Sequence, residues 1–572
     1  MSRGREGEMT GSAILVRALE RENVRLLFAY PGATSMLVHH ELLNSSIRVV
    51  MPRHEQGGAF AANGYARRCG RPGVCIATSG PGATNLVTGI TDAYTDSIPM
   101  VVITCQVNQH LIGKNAFQET DVIGMTRPCV KHSYLVLKPE EIAETVKDAF
   151  WLSASGRPGP VVIDIPTDVL RAVCVPEFPE EPVLRQYRQP RPVPDADDLE
   201  KLRELLRNCQ RPCIYAGGGI ISSGASEKLL RFAEAYRIPV ATSLMGIGAF
   251  PEDHELSLKF LGMHGSVAAN YAVHECDLLL AVSVRFSDRV TGDIKRFAPM
   301  ATIVHVDIDE SEINKNKRAD LAFVCDADCF LARLLDEPFV CGTPQWLAKV
   351  MAWKGDYPFT MPAESEAITV PQVVAEVGEL TGYDATVVTG VGQHQMWTAQ
   401  HYRCRRPRQL LVSGGLGAMG FGLPAAVGAV LADAENGVST PVILMDGDGS
   451  FQMNIQELAT VYAENLPLKM IILNNQNLGM VYQWERRFLD GKHAHTDLRL
   501  PAAGRTYPDF CTIAAGYLIP GEEVCNADDL KDALRRMLEA DGPYLLDIHV
   551  AHDDVVLPMI PAGKTCEDII VR

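Results

Sequence analysis

The chain has 572 residues, a length that suggests three or four domains, and its 47% hydrophobic and 22% charged residues are ordinary for a globular protein. The formal net charge of −17 argues against a nucleic-acid partner, because phosphate binding needs a basic face. It does not exclude small anionic substrates, since local arginine or lysine side chains can override the overall sign.

Three further features bear on where the chain works. Its 15 cysteines show no Cys-x-x-Cys spacing, so we expect free thiols in a reducing compartment. Residues 1–12 are polar and lack the apolar core of a signal peptide. No run of about 18 apolar residues is present, so no membrane span is predicted. These features together predict a cytoplasmic location.

Short apolar runs alternate with helix-length segments along the whole chain. In chain order they include residues 101–105, 161–166, 278–284, 303–308, 387–391, 442–445 and 470–473. This alternation predicts βαβ units and parallel sheets. We therefore expect an α/β fold of three domains, each a mainly parallel sheet flanked by helices.

Two proline-rich stretches, residues 181–198 and 336–371, are typical of linkers between domains. The predicted organisation is an N-terminal domain over residues 1–182, a central domain over 195–340, a C-terminal domain over 368–555 and a tail over 556–572. The carboxyl ends of parallel strands are where such folds bind ligands. Candidate site residues should therefore follow the predicted strands.

The sharpest chemical signal lies in the third domain. The strand at 441–445 runs into Asp-Gly-Asp-Gly-Ser at 446–450, and the strand at 469–473 runs into Asn-Asn-Gln-Asn at 474–477. A carboxylate and an amide at neighbouring strand ends can meet over the sheet edge, and both are hard oxygen ligands suited to Mg²⁺. The glycines let backbone N–H groups approach a diphosphate, and Ser450 can add a hydroxyl donor.

This pair of motifs resembles the signature of thiamine-diphosphate enzymes. The resemblance implies that Asp448 and Asn475 bind Mg²⁺ through their side chains and that Asn477 supplies another oxygen. It also implies a diphosphate-binding turn at 391–394 and a turn at 415–420 that supports the aminopyrimidine ring. The thiamine-binding positions it implies are Val391, Gly392, Gln393, His394, Gly415, Met419, Gly447, Gly449, Ser450 and Met480.

The first domain supplies the partner residue of this chemistry. Glu55 stands in Pro-Arg-His-Glu-Gln-Gly-Gly at 52–58, after a short predicted strand. An isolated glutamate in a loop is usually solvated, but this context resembles the catalytic glutamate of the family, which hydrogen-bonds the cofactor's pyrimidine ring. The resemblance also implies a site between the first and third domains of different subunits, and hence a homodimer or tetramer.

Other motifs narrow the resemblance to acetohydroxyacid synthases, also called acetolactate synthases. They are Tyr-Pro-Gly at 30–32, Ala-Thr-Ser-Gly-Pro-Gly-Ala-Thr-Asn at 77–85, Ala-Phe-Gln-Glu at 116–119, Gln-Trp-Glu at 483–485 and Leu-Pro-Met-Ile-Pro at 557–561. The resemblance places Gln118 and Phe117 at the active site and gives Trp484 the pocket of the second keto acid. It makes Arg289 and Lys131 cations of the entrance channel.

The middle domain resembles the FAD-binding domain of the same family, in which the flavin has a structural role. A glycine triplet after a strand can hold a pyrophosphate on its backbone amides, although a triplet alone is weak evidence. The implied FAD positions are Gly217, Gly218, Gly219, Thr242, Leu244, Met245, Gly262, His264, Arg285, Asp307 and Ile308.

The resemblance therefore implies an enzyme that decarboxylates pyruvate and joins the two-carbon remnant to pyruvate or 2-oxobutyrate, the first common step of branched-chain amino-acid biosynthesis. The sequence does not say whether a small regulatory subunit binds. A thiamine-dependent pyruvate oxidase, decarboxylase or glyoxylate carboligase is an alternative, as is a catalytically weak assembly subunit. A Rossmann dehydrogenase is a poorer one, because no Gly-x-Gly-x-x-Gly opens a helix after a first strand.

Overall fold

The computed structural model describes residues 7–184, 192–339, 341, 344–361, 367–500 and 506–571. It contains three six-stranded sheets, all parallel, each covered by helices, which confirms the predicted α/β fold class. Among the described residues, no helix combines the length and the apolar character needed to cross a bilayer.

The N-terminal sheet is buried on both faces. Its strands, in spatial order, are Arg48–Val50, Leu26–Ala29, Gly73–Thr78, Met100–Gln106, Pro160–Pro166 and His132–Leu135. Its helices are Gly11–Arg21, Met36–Leu42, Glu55–Cys69, Pro81–Asn85, Val87–Thr95, Val122–Thr126, Ile142–Ala154 and Thr167–Arg171. Every residue of the two longest strands is buried, as expected for a parallel sheet between helix layers. A short antiparallel pair, Met9–Thr10 with Val173–Cys174, closes the domain.

The central sheet has a different strand order. Across it lie Ser257–Phe260, Val240–Thr242, Pro212–Ala216, Leu278–Val282, Thr302–Asp307 and Leu321–Val324. Its helices are Ala196–Asn208, Gly218–Ser223, Ser226–Tyr236, Val267–Glu275, Asp288–Thr291, Ala327–Asp336 and Pro344–Asp356. Counted within the domain, the order is 3-2-1-4-5-6, the doubly wound order in which dinucleotides bind beside the first strand.

The C-terminal sheet repeats the order of the N-terminal one, 2-1-3-4-6-5 when each is counted from its own first strand. Its strands are Leu410–Leu411, Thr386–Thr389, Val442–Gly447, Lys469–Asn474, Tyr544–His549 and Gly521–Val524. Its helices are Val370–Leu380, Gln393–His401, Gly422–Glu435, Asp448–Phe451, Leu458–Ala463, Gly479–Phe488, Phe510–Gly516 and Ala527–Glu539. Short 3-10 turns elsewhere in the chain are Gln109–Leu111, Arg127–Cys129, Pro139–Glu141, Leu244–Gly246, Glu310–Glu312, Gln452–Glu457 and Cys566–Asp568.

Two helices join the N-terminal and C-terminal domains within one chain, Glu55–Cys69 and Gly422–Glu435. Their backbones approach so closely that a Cβ on Gly64 would lie 2.1 Å from the carbonyl oxygen of Ala425. A Cβ on Gly428 would meet the carbonyl oxygen of Ala61 at 2.0 Å. Because only glycine fits at such a crossing, these two positions set the spacing of the domains.

The predicted domain boundaries stay predictions. Residues 185–191 of the first predicted linker, and 340, 342–343 and 362–366 of the second, lie outside the described residues. The second linker is not irregular throughout, because the helix Pro344–Asp356 occupies its middle and buries Trp346. Proline is tolerated in the first turn of a helix, so Pro344 marks a helix start there rather than a break.

Candidate cofactor and active site

One large cavity, of about 1570 Å³, is lined by residues of all three domains. Ligand pockets usually measure about 300–1,000 Å³, so this one has room for more than one ligand. The predicted site residues that line it are Lys131, Gly218, Gly219, Leu244, Met245, His264, Arg285, Arg289, Asp307, Ile308, Val391, Gly392, Gln393, His394, Met419, Gly447, Asp448, Gly449, Ser450, Asn475, Asn477, Met480 and Trp484.

Oxygen ligands converge at the C-terminal end of the cavity. Asp448 begins a helix directly after the strand Val442–Gly447, and Asn475 follows the neighbouring strand Lys469–Asn474. Asp448 Oδ2 and Asn477 Oδ1 are buried and accept no hydrogen bond from the described residues. Unsatisfied buried acceptors are costly, about 1–3 kcal/mol each, and a divalent cation between them would satisfy both.

Two features of this region show how it is prepared. Burial raises the pKa of Asp448 to about 7, so the ionised form needs a nearby positive charge. His552 was not foreseen from the sequence, yet it contacts the Asn475 backbone and orients the Asn477 side chain. Its Nδ1 lies 2.6 Å from the backbone carbonyl oxygen of Asn475, and Asn477 Nδ2 donates to the backbone carbonyl oxygen of His552 at 2.7 Å. The nitrogen of the Asn477 side-chain amide is thereby held, and its oxygen remains free to bind a cation.

The turn that precedes the helix Gln393–His401 lies against the Asp-Gly-Asp-Gly-Ser turn. Ser450 Oγ accepts hydrogen bonds from the backbone N–H of Gly420 at 3.1 Å and of Val391 at 3.4 Å. A Cβ on Gly447 would lie 2.8 Å from His394 Nδ1, and one on Gly449 would lie 2.7 Å from a methyl carbon of Leu478. A larger residue at either glycine would therefore press on the His394 or Leu478 side chain.

A buried ion cluster holds the next turn of the site. Arg67 donates to Asp92 at 3.0 Å and to Asp96 at 2.8 Å, and all three side chains are buried. Asp96 in turn accepts the backbone N–H groups of Gly414 and Gly415, at 2.9 and 2.7 Å. Residues of the N-terminal domain thus fix the turn that leads to Met419, and Gly415 itself points its N–H at Asp96 and does not line the cavity.

The central-domain part of the cavity lies at the turn after the first strand of its sheet. Gly218 and Gly219 line it, whereas Gly217 does not. Gly217 packs against the backbone of Ser283, whose carbonyl oxygen would lie 1.8 Å from a Cβ at that position. His264 Nε2 is buried without a hydrogen-bond partner among the described residues, and burial lowers the pKa of this histidine to about 4. Burial raises the pKa of Asp307 to about 6. His264 and Asp307 are therefore buried polar side chains at this end of the cavity that could bind a ligand.

Two of the predicted central-domain residues, Thr242 and Gly262, lie behind the cavity wall. Thr242 ends the strand Val240–Thr242. Gly262 has a φ of +118°, and a Cβ on it would lie 2.7 Å from the Arg289 carbonyl oxygen. Gly262 therefore shapes the loop that carries Arg289.

Arg289 and Trp484 come together at the mouth of the cavity although they belong to different domains. The guanidinium carbon of Arg289 stands 5.7 Å from the centre of the indole ring, within the range of a cation–π contact. The Arg289 side chain is 62% exposed, so its charge remains available to an incoming anion. Trp484 Nε1 is buried without a hydrogen-bond partner in the described part of the chain.

Lys131 lines the cavity with its stem, but its ammonium group is turned to the backbone. It donates to the carbonyl oxygens of Leu152 and, at 2.7 Å, of Ser155, at the end of the helix Ile142–Ala154. Burial lowers its pKa to about 8. Within one chain, Lys131 therefore caps a helix instead of presenting a free charge.

Three other predicted residues of the N-terminal domain lie away from this cavity. Glu55 Oε2 accepts a hydrogen bond from Asn85 at 2.9 Å, Phe117 is 88% exposed, and the Gln118 backbone lies against Gly80. None of Glu55, Phe117 and Gln118 lines it. Within a single chain, the two halves of the expected site are therefore apart.

Comparisons with known proteins agree with this architecture. Three domain models match the chain: "Thiamine pyrophosphate enzyme, N-terminal TPP binding domain" over residues 9–125, its central domain over 199–334 and its C-terminal TPP binding domain over 390–548. Acetolactate synthase 2 of Nicotiana tabacum is 49% identical over 571 residues, which cover 98% of this chain and 85% of the relative.

Two further plant proteins match to the same extent, and all three are named as chloroplastic. Acetolactate synthase of Arabidopsis thaliana is 49% identical, with 98% of this chain and 84% of the relative covered. Acetolactate synthase 1 of Zea mays is 50% identical, with 98% and 88% covered. The chain belongs to the acetolactate synthase family of thiamine pyrophosphate enzymes.

Proposed function

We propose that this chain is an acetolactate synthase. It decarboxylates pyruvate and transfers the two-carbon remnant to pyruvate or to 2-oxobutyrate, the first common step of valine, leucine and isoleucine biosynthesis. The observation that carries the proposal is that one cavity contains both features of the expected site. The unpartnered oxygens of Asp448 and Asn477 lie at one end of it, and the Arg289–Trp484 pair lies at its mouth. Near-complete coverage by acetolactate synthases supports it.

Asp448, Asn475 and Asn477 would hold Mg²⁺, and the turns at 391–394 and 447–450 would hold the diphosphate. The buried, unpartnered acceptors fit a hard cation. Thiamine diphosphate, when bound, supplies the nucleophilic carbon and takes up the electron pair that CO₂ leaves behind. The chain's own part is to fix the cofactor, and Met419 and Met480 line the wall beside it.

Glu55 would hold a proton at the pyrimidine nitrogen of a cofactor bound to a second chain. Its carboxylate lies outside its own chain's cavity, and Phe117 beside Gln118 is exposed, as expected for a surface that a partner covers. A homodimer is therefore the smallest complete unit that we propose. A tetramer and a regulatory subunit remain predictions from the resemblance.

Arg289 would place the carboxylate of the second keto acid by charge, and Trp484 would limit the space beside that acid's alkyl group. The contact between the two side chains places the arginine over the ring. The carboxylate and the alkyl group of the second keto acid would therefore be recognised at the same point of the cavity.

FAD would occupy the central-domain end of the cavity as a structural ligand. The 3-2-1-4-5-6 strand order, the Gly218–Gly219 turn and the unpartnered His264 Nε2 support this assignment. A cytoplasmic location stays a proposal. All 15 cysteines are free thiols, which supports a reducing compartment.

The direct test is to incubate the purified chain with pyruvate, Mg²⁺ and FAD, with and without thiamine diphosphate, and to assay acetolactate. We expect acetolactate only when thiamine diphosphate is present. Acetaldehyde or acetyl phosphate as the sole product would overturn the proposal in favour of a decarboxylase or an oxidase.

Replacing Trp484 by leucine is expected to lower the preference for 2-oxobutyrate over pyruvate by about tenfold. A change of one methylene in a hydrophobic pocket is worth about 1–3 kcal/mol, and loss of the ring removes the wall that makes this distinction. Competition between the two acceptors measures the ratio. Tyr462→Leu is the matched control, because it removes a half-exposed aromatic ring of the same domain that lies outside the cavity. An unchanged ratio in Trp484→Leu would assign the ring to packing alone.

A further inference from the structure

A second cluster of metal-ligating side chains lies on the C-terminal domain, outside the cofactor cavity. Glu523, Cys525 and His549 each bring one ligand atom into a group in which all these atoms are within 4.8 Å of one another. None of the three lines the cavity. This group was not predicted from the sequence, because its members come from the ends of two strands that are separated along the chain.

Sheet register explains why these side chains meet. The edge strand Gly521–Val524 pairs in parallel with Tyr544–His549, so that Glu523 stands opposite Asp547. Side chains two residues apart point to the same face, which places Cys525 beside His549 at the carboxyl ends of both strands. The four side chains therefore form one patch on one face of the sheet.

The patch carries more negative charge than its neighbours compensate. His549 Nε2 lies 2.8 Å from Glu523 Oε1 and 3.9 Å from Asp547 Oδ2. Among the described residues, the only ion pair of Glu523 is with this histidine. A cation at this point would relieve all of these groups.

Hydrogen bonding at His549 is also incomplete. Its Nε2 is buried, and the contact with Glu523 is not aligned as a hydrogen bond. Asp547, in contrast, is held by Asn474 Nδ2 at 2.9 Å, so its carboxylate is fixed beside the imidazole.

We propose that Glu523, Cys525 and His549 form a Zn²⁺ site that fastens the edge strand of the C-terminal sheet. Sulfur, imidazole nitrogen and carboxylate oxygen are the ligand types of zinc, which accepts three protein ligands and a water. Bonds of about 2.0–2.3 Å place tetrahedral ligands about 3.5 Å apart. Glu523 and Cys525 are exposed, so rotation of their side chains can close the remaining distance.

Cobalt substitution tests this site on the full-length chain, with thiamine diphosphate and Mg²⁺ kept present. Co²⁺ is added to protein freed of transition metals, and the absorbance is recorded. We expect one equivalent to bind with a thiolate-to-cobalt charge-transfer band in the near ultraviolet, and Zn²⁺ to abolish that band by displacement. Absence of the band in the wild-type chain would overturn the proposal, whatever the result of the acetolactate assay.

Variants identify the ligands. Cys525→Ser is expected to lose the band, and His549→Ala to weaken Co²⁺ binding at least about tenfold. Cys511→Ser is the matched control: it lies on the helix Phe510–Gly516, which packs on the same two strands, and it should keep the band. A band that survives in Cys525→Ser, or unchanged Co²⁺ affinity in His549→Ala, would contradict the assignment.

A melting experiment guards against misfolded variants. Without added metal, Cys525→Ser and the wild-type chain should unfold at the same temperature. A ligand that binds only the folded state stabilises it, so Zn²⁺ should raise the melting temperature of the wild-type chain and not that of Cys525→Ser. An equal rise in both would place the zinc elsewhere.

Discussion

Glu55→Gln is expected to lower kcat about 10²–10⁴-fold and to leave thiamine diphosphate bound, because a positioned acid–base group contributes about that much to the rate. Glutamine keeps the size of the side chain but cannot exchange a proton with the pyrimidine nitrogen. Steady-state acetolactate formation gives kcat, and a fluorescence titration gives the affinity for the cofactor.

The control for this variant is Glu140→Gln, which changes an exposed carboxylate in the same domain and should leave kcat unchanged. The hydrogen bond that Asn85 donates to Glu55 can be kept by the glutamine oxygen, so the fold should hold. Full activity in Glu55→Gln would remove Glu55 from the mechanism.

Asp448→Ala is expected to weaken Mg²⁺-dependent binding of thiamine diphosphate by at least about 100-fold. Loss of an outer-shell partner alone typically costs 10–100-fold in metal affinity, and Asp448 offers a direct oxygen ligand. Removal of a buried carboxylate whose pKa burial raises to about 7 should not lower the stability of the chain without cofactor.

Titration of thiamine diphosphate at several Mg²⁺ concentrations measures this effect. Asp532→Ala, which removes an exposed carboxylate paired with Arg535 on a surface helix, is the matched control. If Asp448→Ala bound the cofactor with unchanged Mg²⁺ dependence, the cation would have to be held elsewhere.

The metal end of the site could be predicted because its residues lie in two contiguous motifs directly after strands. A local pattern shows that Asp448 and Asn475 each follow a strand. Parallel pairing of these two strands then brings both side chains to the same edge of the sheet. Alternation of apolar runs predicted the three parallel sheets for the same reason. It could not predict the strand order, since 3-2-1-4-5-6 and 2-1-3-4-6-5 arise from equally regular sequences.

Contacts between distant segments were not predictable. Asp92 and Asp96 are four residues apart near the end of one helix, a spacing that looks like an ordinary solvated face. Both carboxylates actually pair with Arg67, and Asp96 also accepts the backbone N–H groups of Gly414 and Gly415, which no local pattern links to them. His552 is a similar case, because its role depends on where the chain returns to the sheet.

For Lys131, the resemblance and the single chain point to different uses. The residue type and position match a channel cation, yet its ammonium group binds two carbonyl oxygens at a helix end. Only the surrounding backbone decides between these uses. For Glu55 the single chain does not suffice, since the function that we propose places the cofactor it serves on another copy.

A catalytic site shared between two chains is tested most directly by mixing Glu55→Gln chains with Asp448→Ala chains. The subunits are allowed to exchange, and the hybrid is isolated with two different affinity tags. If each catalytic site combines Glu55 of one chain with Asp448 of its partner, the hybrid contains one site with both native residues and one with neither. Each variant alone should be nearly inactive. We predict that the hybrid dimer regains acetolactate synthesis, with about half the activity of a wild-type dimer. A purified hybrid as inactive as its parents would contradict a site shared between chains.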